Sequence, residues 1–278
     1  MSEHSKQHNL SFIVLILSLI IVTILFSVRI KYSQLVFHLL TALQLCIIYF
    51  TAWKVGGFAI LQLDIHQKLL ATSGLLLITS WALFSFLPGV APPGMQSHEE
   101  NQLRYLILFL NAVCIAGGFT CLAKTLYQKD EQFFSTSGFS AIVVATPMYL
   151  VWAVFMIEIH RVIPNLDTSE IPNWVYAISD LTDILLFFGG IFTYIATLFF
   201  TLSLREAKFL SHKFAQSFIF VSVLALICLS IRGFSFPDPS VAFTNWFTIP
   251  GYIFGIPAIP WIIPTIIGVK LLRKVKTN

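Results

Sequence analysis

Charge is scarce in this chain. Asp, Glu, Lys and Arg make up 11% of its 278 residues, hydrophobic residues 57%, and mean hydropathy is +0.83. A soluble domain carries about a quarter charged residues. So little charge cannot cover a fold of this length with polar surface, which makes lipid the expected solvent. No polar stretch is long enough to fold as a separate water-facing unit. A single transmembrane domain over residues 1–278 is the expectation.

Other signals are missing too. The four cysteines, Cys46, Cys114, Cys121 and Cys228, all fall inside apolar runs. They lack the close Cys/His spacing of a zinc site, and a disulfide framework would place them in loops, so they read as packing residues. The polar start, Met1 to Asn9, is followed by an apolar run without an Ala-x-Ala-like cleavage site, which predicts an uncleaved first span. P-loop and Rossmann glycine patterns, HExxH and Gly-x-Ser-x-Gly are absent. Every lysine stands at a span end, where a retinal protein needs one in mid-span. The pI near 8.9 does not point to nucleic acid, because the basic residues are spread over loops and the tail Lys270–Lys276 rather than interleaved with aromatics.

What the chain does have is long apolar runs. A helix needs about 20 apolar residues to cross the hydrocarbon core. That rule places eight spans, at 11–28, 34–53, 69–89, 103–123, 139–159, 181–203, 214–231 and 248–269. A barrel would need strict alternation, which Phe12-Ile13-Val14-Leu15-Ile16-Leu17 does not show. The fold class is therefore an all-α polytopic bundle of eight transmembrane helices. Phe84-Ser85-Phe86 before Pro88 and Phe234-Ser235-Phe236 before Pro237 hint at a weak 4+4 parallel repeat.

Counting Lys and Arg sets the orientation. Lys6, Lys54, Lys68, Lys124, Lys129, Arg205, Lys208, Lys213, Lys270, Arg273, Lys274 and Lys276 share one side. Only Arg29, Lys31, Arg104, Arg161 and Arg232 fall on the other. This bias makes the N- and C-termini cytoplasmic, in the cell (inner) membrane. Eight of the thirteen acids sort the opposite way: Glu99, Glu100, Glu158, Asp167, Glu170, Asp180, Asp183 and Asp238.

The acids and a histidine gather where the fifth span ends and the sixth begins. A charge at the edge of lipid needs partners or water. Asp180 and Asp183 share a helix face, continued inward by Phe187, Gly190, Tyr194 and Thr197. Tyr149, Met156 and His160 share one on the preceding helix, and Glu158 precedes Arg161 by three. Arg232 ends the seventh span at the same depth. The candidate polar pocket is Glu158, His160, Asp180, Asp183, Arg232, His38, Tyr149 and Tyr194. The plainer reading makes Asp180 a helix N-cap or first-turn acid and Glu158–Arg161 an interfacial pair. His38, about 7 Å inside the second span, and His160 could ligate haem as a bis-histidine pair. No short motif supports a metal site.

Asn111 is the strongly polar residue deep in the fourth span, beside the small face of Cys114, Gly117, Gly118 and Cys121. Gly251-Tyr252-Ile253-Phe254-Gly255 is a GxxxG packing pattern. Pro257, Pro260 and Pro264 then remove helix donors, which predicts a broken eighth span whose freed carbonyls face protein, water or ligand. Three functions fit. The first is transport or sensing of a proton or small cation through the outward acidic and histidine pocket. The second is a membrane enzyme acting on a lipid or quinone-like substrate with His plus carboxylate. The third is a non-catalytic scaffold or accessory subunit.

Overall fold

A computed structural model describes residues 3–27, 33–62, 64–87, 97–127, 132–162, 172–234 and 248–275. Asp167, Glu170 and Asp238 lie outside the described residues, as do Ser235 and Phe236 of the suggested repeat.

In lipid a backbone finds hydrogen-bond partners only within its own helix or a closed barrel. Accordingly the described residues are helical and contain no strand. The helices are α1 (Glu3–Ser27), α2 (Gln34–Val55), α3 (Ile65–Ala82), α4 (His98–Tyr127), α5 (Phe133–Val162), α6 (Asn173–Glu206) and α7 (His212–Gly233), then the short α8 (Ile249–Phe254) and α9 (Ile262–Lys274). Among the described residues six stretches are long and apolar enough to cross a membrane: Leu35–Val55, Ile65–Phe86, His98–Tyr127, Phe133–Val162, Asn173–Glu206 and His212–Gly233. The other two expected spans are slighter. The first supplies a shorter apolar helix, Asn9–Leu25, and the last is split into α8 and α9.

Three helices outrun the spans expected from hydropathy. At 1.5 Å per residue, α4 and α5 (30 residues each) and α6 (34 residues) extend roughly 45–50 Å, beyond a hydrocarbon core of about 30 Å. Hydropathy falls where a helix leaves lipid, but its backbone bonds continue. The consequence for Asp180 is a correction. It lies two turns into α6, whose N-cap is Pro172 and whose first turn carries no acid, so it does not cap that helix.

Long helices consecutive in the chain run in opposite directions. Thr182 meets Met156 while Thr193 meets Tyr149, so α5 and α6 are antiparallel. Ser73 donates to the Gly118 carbonyl and Thr41 to that of Ser85, bonds that tie α3 to α4 and α2 to the end of α3. Such hydroxyl bonds and small residues bind helices where lipid supplies no hydrophobic drive. Gly74 and Gly268 bring α3 and α9 backbone to backbone: a Cβ at Gly268 would lie 2.8 Å from the Gly74 carbonyl oxygen. Phe119 and Phe200 stack at 4.6 Å between α4 and α6. The outside stays apolar, with Leu39, Leu43, Val154, Phe220 and Ile227 exposed, as a lipid-facing surface would be.

The alternation sorts the described charges to two ends. Glu99, Glu100, Glu158, Asp180 and Asp183 share the acid-rich end with the α4 start and the α5 finish. The α1 start and α9 finish meet at the Lys-rich end, where the Arg273 guanidinium carbon is 4.5 Å from the Phe12 ring. The eighth segment is interrupted as its prolines predict. A 3-10 turn, Ile259–Trp261, separates α8 from α9, and Pro264 sits in the first turn of α9, where its missing donor costs little.

Candidate functional site

At the acid-rich end α4 begins with a capping box. The backbone N–H and hydroxyl of Ser97 both donate to Glu100 Oε2 at 3.0 Å, and the Glu100 N–H donates to the Ser97 hydroxyl at 3.2 Å. This fixes where α4 starts and sets His98 against the last turn of α5. There His98 Nδ1 and His160 Nδ1 lie 3.2 Å apart, a hydrogen bond when one ring carries the proton and the other accepts it. Two turns further along α4, Tyr105 stacks on His160 (centroids 5.4 Å, planes 18° apart) and meets Trp152 edge-on at 5.4 Å. Beside them Arg104 is 6% exposed and Asn101 1%, and the guanidinium donates to Asn101 Oδ1 at 3.1 Å. Arg104 is within electrostatic reach of His160. A buried charge on a membrane helix is a functional candidate by default.

The acid expected nearby approaches from the other side. Asp183, exposed on α6, interacts electrostatically with Asp180, Arg232 and Tyr105. Arg232, on the last turn of α7, is boxed by aromatics, its guanidinium carbon 3.9 Å from the Tyr252 ring and 5.5 Å from Phe187. Gly251 and Gly255 make room for it: a Cβ at Gly251 would meet the Cys228 carbonyl and Arg232 Cβ, and one at Gly255 the guanidinium. The GxxxG pattern thus packs α8 onto α7.

Other candidates lie apart. Glu158 forms a bidentate pair with Arg161 on the surface, Nε to Oε2 at 2.7 Å, and does not turn toward the histidines. His38 is exposed on α2, its ring edge-on to Phe37, whereas His160 turns into α4; no described contact joins this possible haem pair. Tyr149 and Tyr194 are buried well below the mouth. The Thr193 hydroxyl donates to the Tyr149 oxygen at 3.4 Å, and the Tyr194 hydroxyl donates to the Phe254 carbonyl at 3.3 Å, where α8 ends. Tyr149 also meets Trp261 at 5.4 Å. Trp261 Nε1 and both amide atoms of Asn111 are buried without a described partner, and water or ligand commonly satisfies such groups.

Sequence reasoning missed His98, Asn101, Arg104 and Tyr105. Starting the fourth span at 103 left the first two in a loop. The signal was present as Ser97-His98-Glu99-Glu100, a capping box that starts the helix earlier. No family model, curated protein or solved structure matches this chain.

Proposed function

We propose that this chain is an eight-pass protein of the cell (inner) membrane, both termini cytoplasmic, that transports or senses protons at its outward mouth. Exposed apolar faces, the alternating helix directions and the twelve-to-five bias of basic residues support the topology. The contact between His98 and His160 carries the functional part. Imidazole changes charge in the physiological range, and two rings in hydrogen-bond contact can hold or hand on one proton. Arg104 and Arg232 at the same mouth weigh against a metal cation, and among the described residues no three potential ligands gather. Asp183, facing the mouth beside Arg232, is the carboxylate placed to exchange protons with water.

The test is proton flux into liposomes carrying the purified protein under a pH gradient. His98→Asn and His160→Asn should each abolish most of it while elution profile and melting stay native. Native flux from both folded variants would refute transport through the pair. Sensing predicts no flux but a pH-dependent change in tryptophan fluorescence, through Trp152, that both variants lose.

A further inference from the structure

The Lys-rich end carries a feature that the proton reading does not use. An apolar groove of about 350 Å³ runs between α1 and α9, walled by Leu19, Ile20, Ile262 and Ile266 and floored by Trp81, whose indole N–H donates to Thr23 at 3.1 Å. It follows α9 from Ile262 to Lys270, about 12 Å at 1.5 Å per residue. A second cavity, also about 350 Å³, opens at the bundle end and is lined by Lys270, Arg273, Lys274, Ser211 and Phe214. Lys270 belongs to both.

The chemistry of the two cavities differs. The groove is apolar over nearly all its length, whereas the end cavity gathers three cations and no carboxylate. Lys270 is half-buried, its amine 3.9 Å from the Phe214 ring and 5.6 Å from Phe12. Aromatic faces hold such a cation but do not neutralise it. Of the acids at this end whose side chains are described, Asp64 caps α3 by accepting from the His66 N–H, and Glu206 pairs with Arg205. A half-buried ammonium at the edge of lipid calls for an anion. The Ser211 hydroxyl opens α7 without capping it, which leaves a donor at the rim.

We infer that the α1–α9 groove and the Lys270–Arg273–Lys274 cavity together form a binding site for an anionic phospholipid, with an acyl chain in the groove and the phosphate at Lys270. Basic clusters between helices at the membrane surface favour anionic headgroups, and each Lys or Arg contributes about a fivefold gain in affinity. The site depends on the membrane reading but not on the histidine pair.

Native mass spectrometry of the detergent-solubilised protein tests it, with phosphatidylglycerol and phosphatidylcholine as probes and inorganic phosphate as competitor. Wild type should retain phosphatidylglycerol in preference to phosphatidylcholine. Lys270→Gln should weaken that retention about fivefold, and Ile266→Trp, which fills the groove, should weaken it while the protein still melts as wild type. Lys54→Gln, a lysine at the same end outside both cavities, should behave as wild type. Equal retention of the two lipids, or native retention by folded Lys270→Gln, would overturn the site. So would inorganic phosphate displacing the lipid with Ile266→Trp without effect, since that assigns the cavity to free phosphate. Proton flux is read separately, so failure of either proposal leaves the other standing.

Discussion

A double-mutant cycle on His98 and His160 tests the mouth at its centre. Removing either ring breaks the 3.2 Å contact, and an ordinary hydrogen bond contributes about 1 kcal/mol net. His160 loses its stack on Tyr105 as well, another 0.5–1.5 kcal/mol or so. His98→Ala should therefore cost about 1 kcal/mol and His160→Ala about 2 kcal/mol. The double variant cannot lose the shared bond twice, so its cost should fall short of the sum by about 1 kcal/mol. Reversible unfolding in mixed micelles at neutral pH, followed by tryptophan fluorescence, reads all four corners. In acid, with both rings protonated, two Nδ1–H donors face each other and the coupling should vanish or change sign. A neutral-pH coupling within about 0.3 kcal/mol of zero would show that the rings do not bond, and the proton reading would go with it.

Two further outcomes follow from the packing. Gly268→Val forces a branched side chain against the Gly74 carbonyl and Leu77, and overpacking of about 1–3 kcal/mol should lower the melting temperature; a native melt would mean that α3 and α9 are not backbone to backbone. Glu158→Gln should leave both melting and proton flux unchanged, because its partner is the exposed Arg161; lost flux would bring Glu158 back into the mouth.

The class of fold was legible because eleven charged residues in a hundred cannot shield this chain from lipid. Composition carries that, whatever the details. The interruption of the eighth segment was legible as well, since a proline removes its donor in any surroundings. Helix ends were not. The hydropathy of 98–102 is that of a loop, but Ser97 and Glu100 cap a helix there, so two members of the mouth, His98 and Asn101, escaped notice. Facing was not legible either. α2 is apolar on nearly every side, so periodicity could not say that His38 turns outward. His160 was singled out for its charge environment, but its partner lies 62 residues earlier in the chain, beyond the reach of local spacing.

The two pieces of the interrupted segment answer to different neighbours. α8 is clamped to α7 through Gly251, Gly255 and the guanidinium of Arg232, while α9 is seated on α3 through Gly268 and the Thr265 hydroxyl, which reaches the Leu77 carbonyl. Any sliding of α7 past α3 would thus fall on residues 255–261, where i→i+3 turn bonds such as Ile259 N–H to Ile256 O and Trp261 N–H to Ala258 O replace the continuous α-helical ladder. Tyr194, which holds the last carbonyl of α8, and Tyr149, which rests on Trp261 at the far end of that stretch, stand at the two edges of the joint like the two leaves of a hinge.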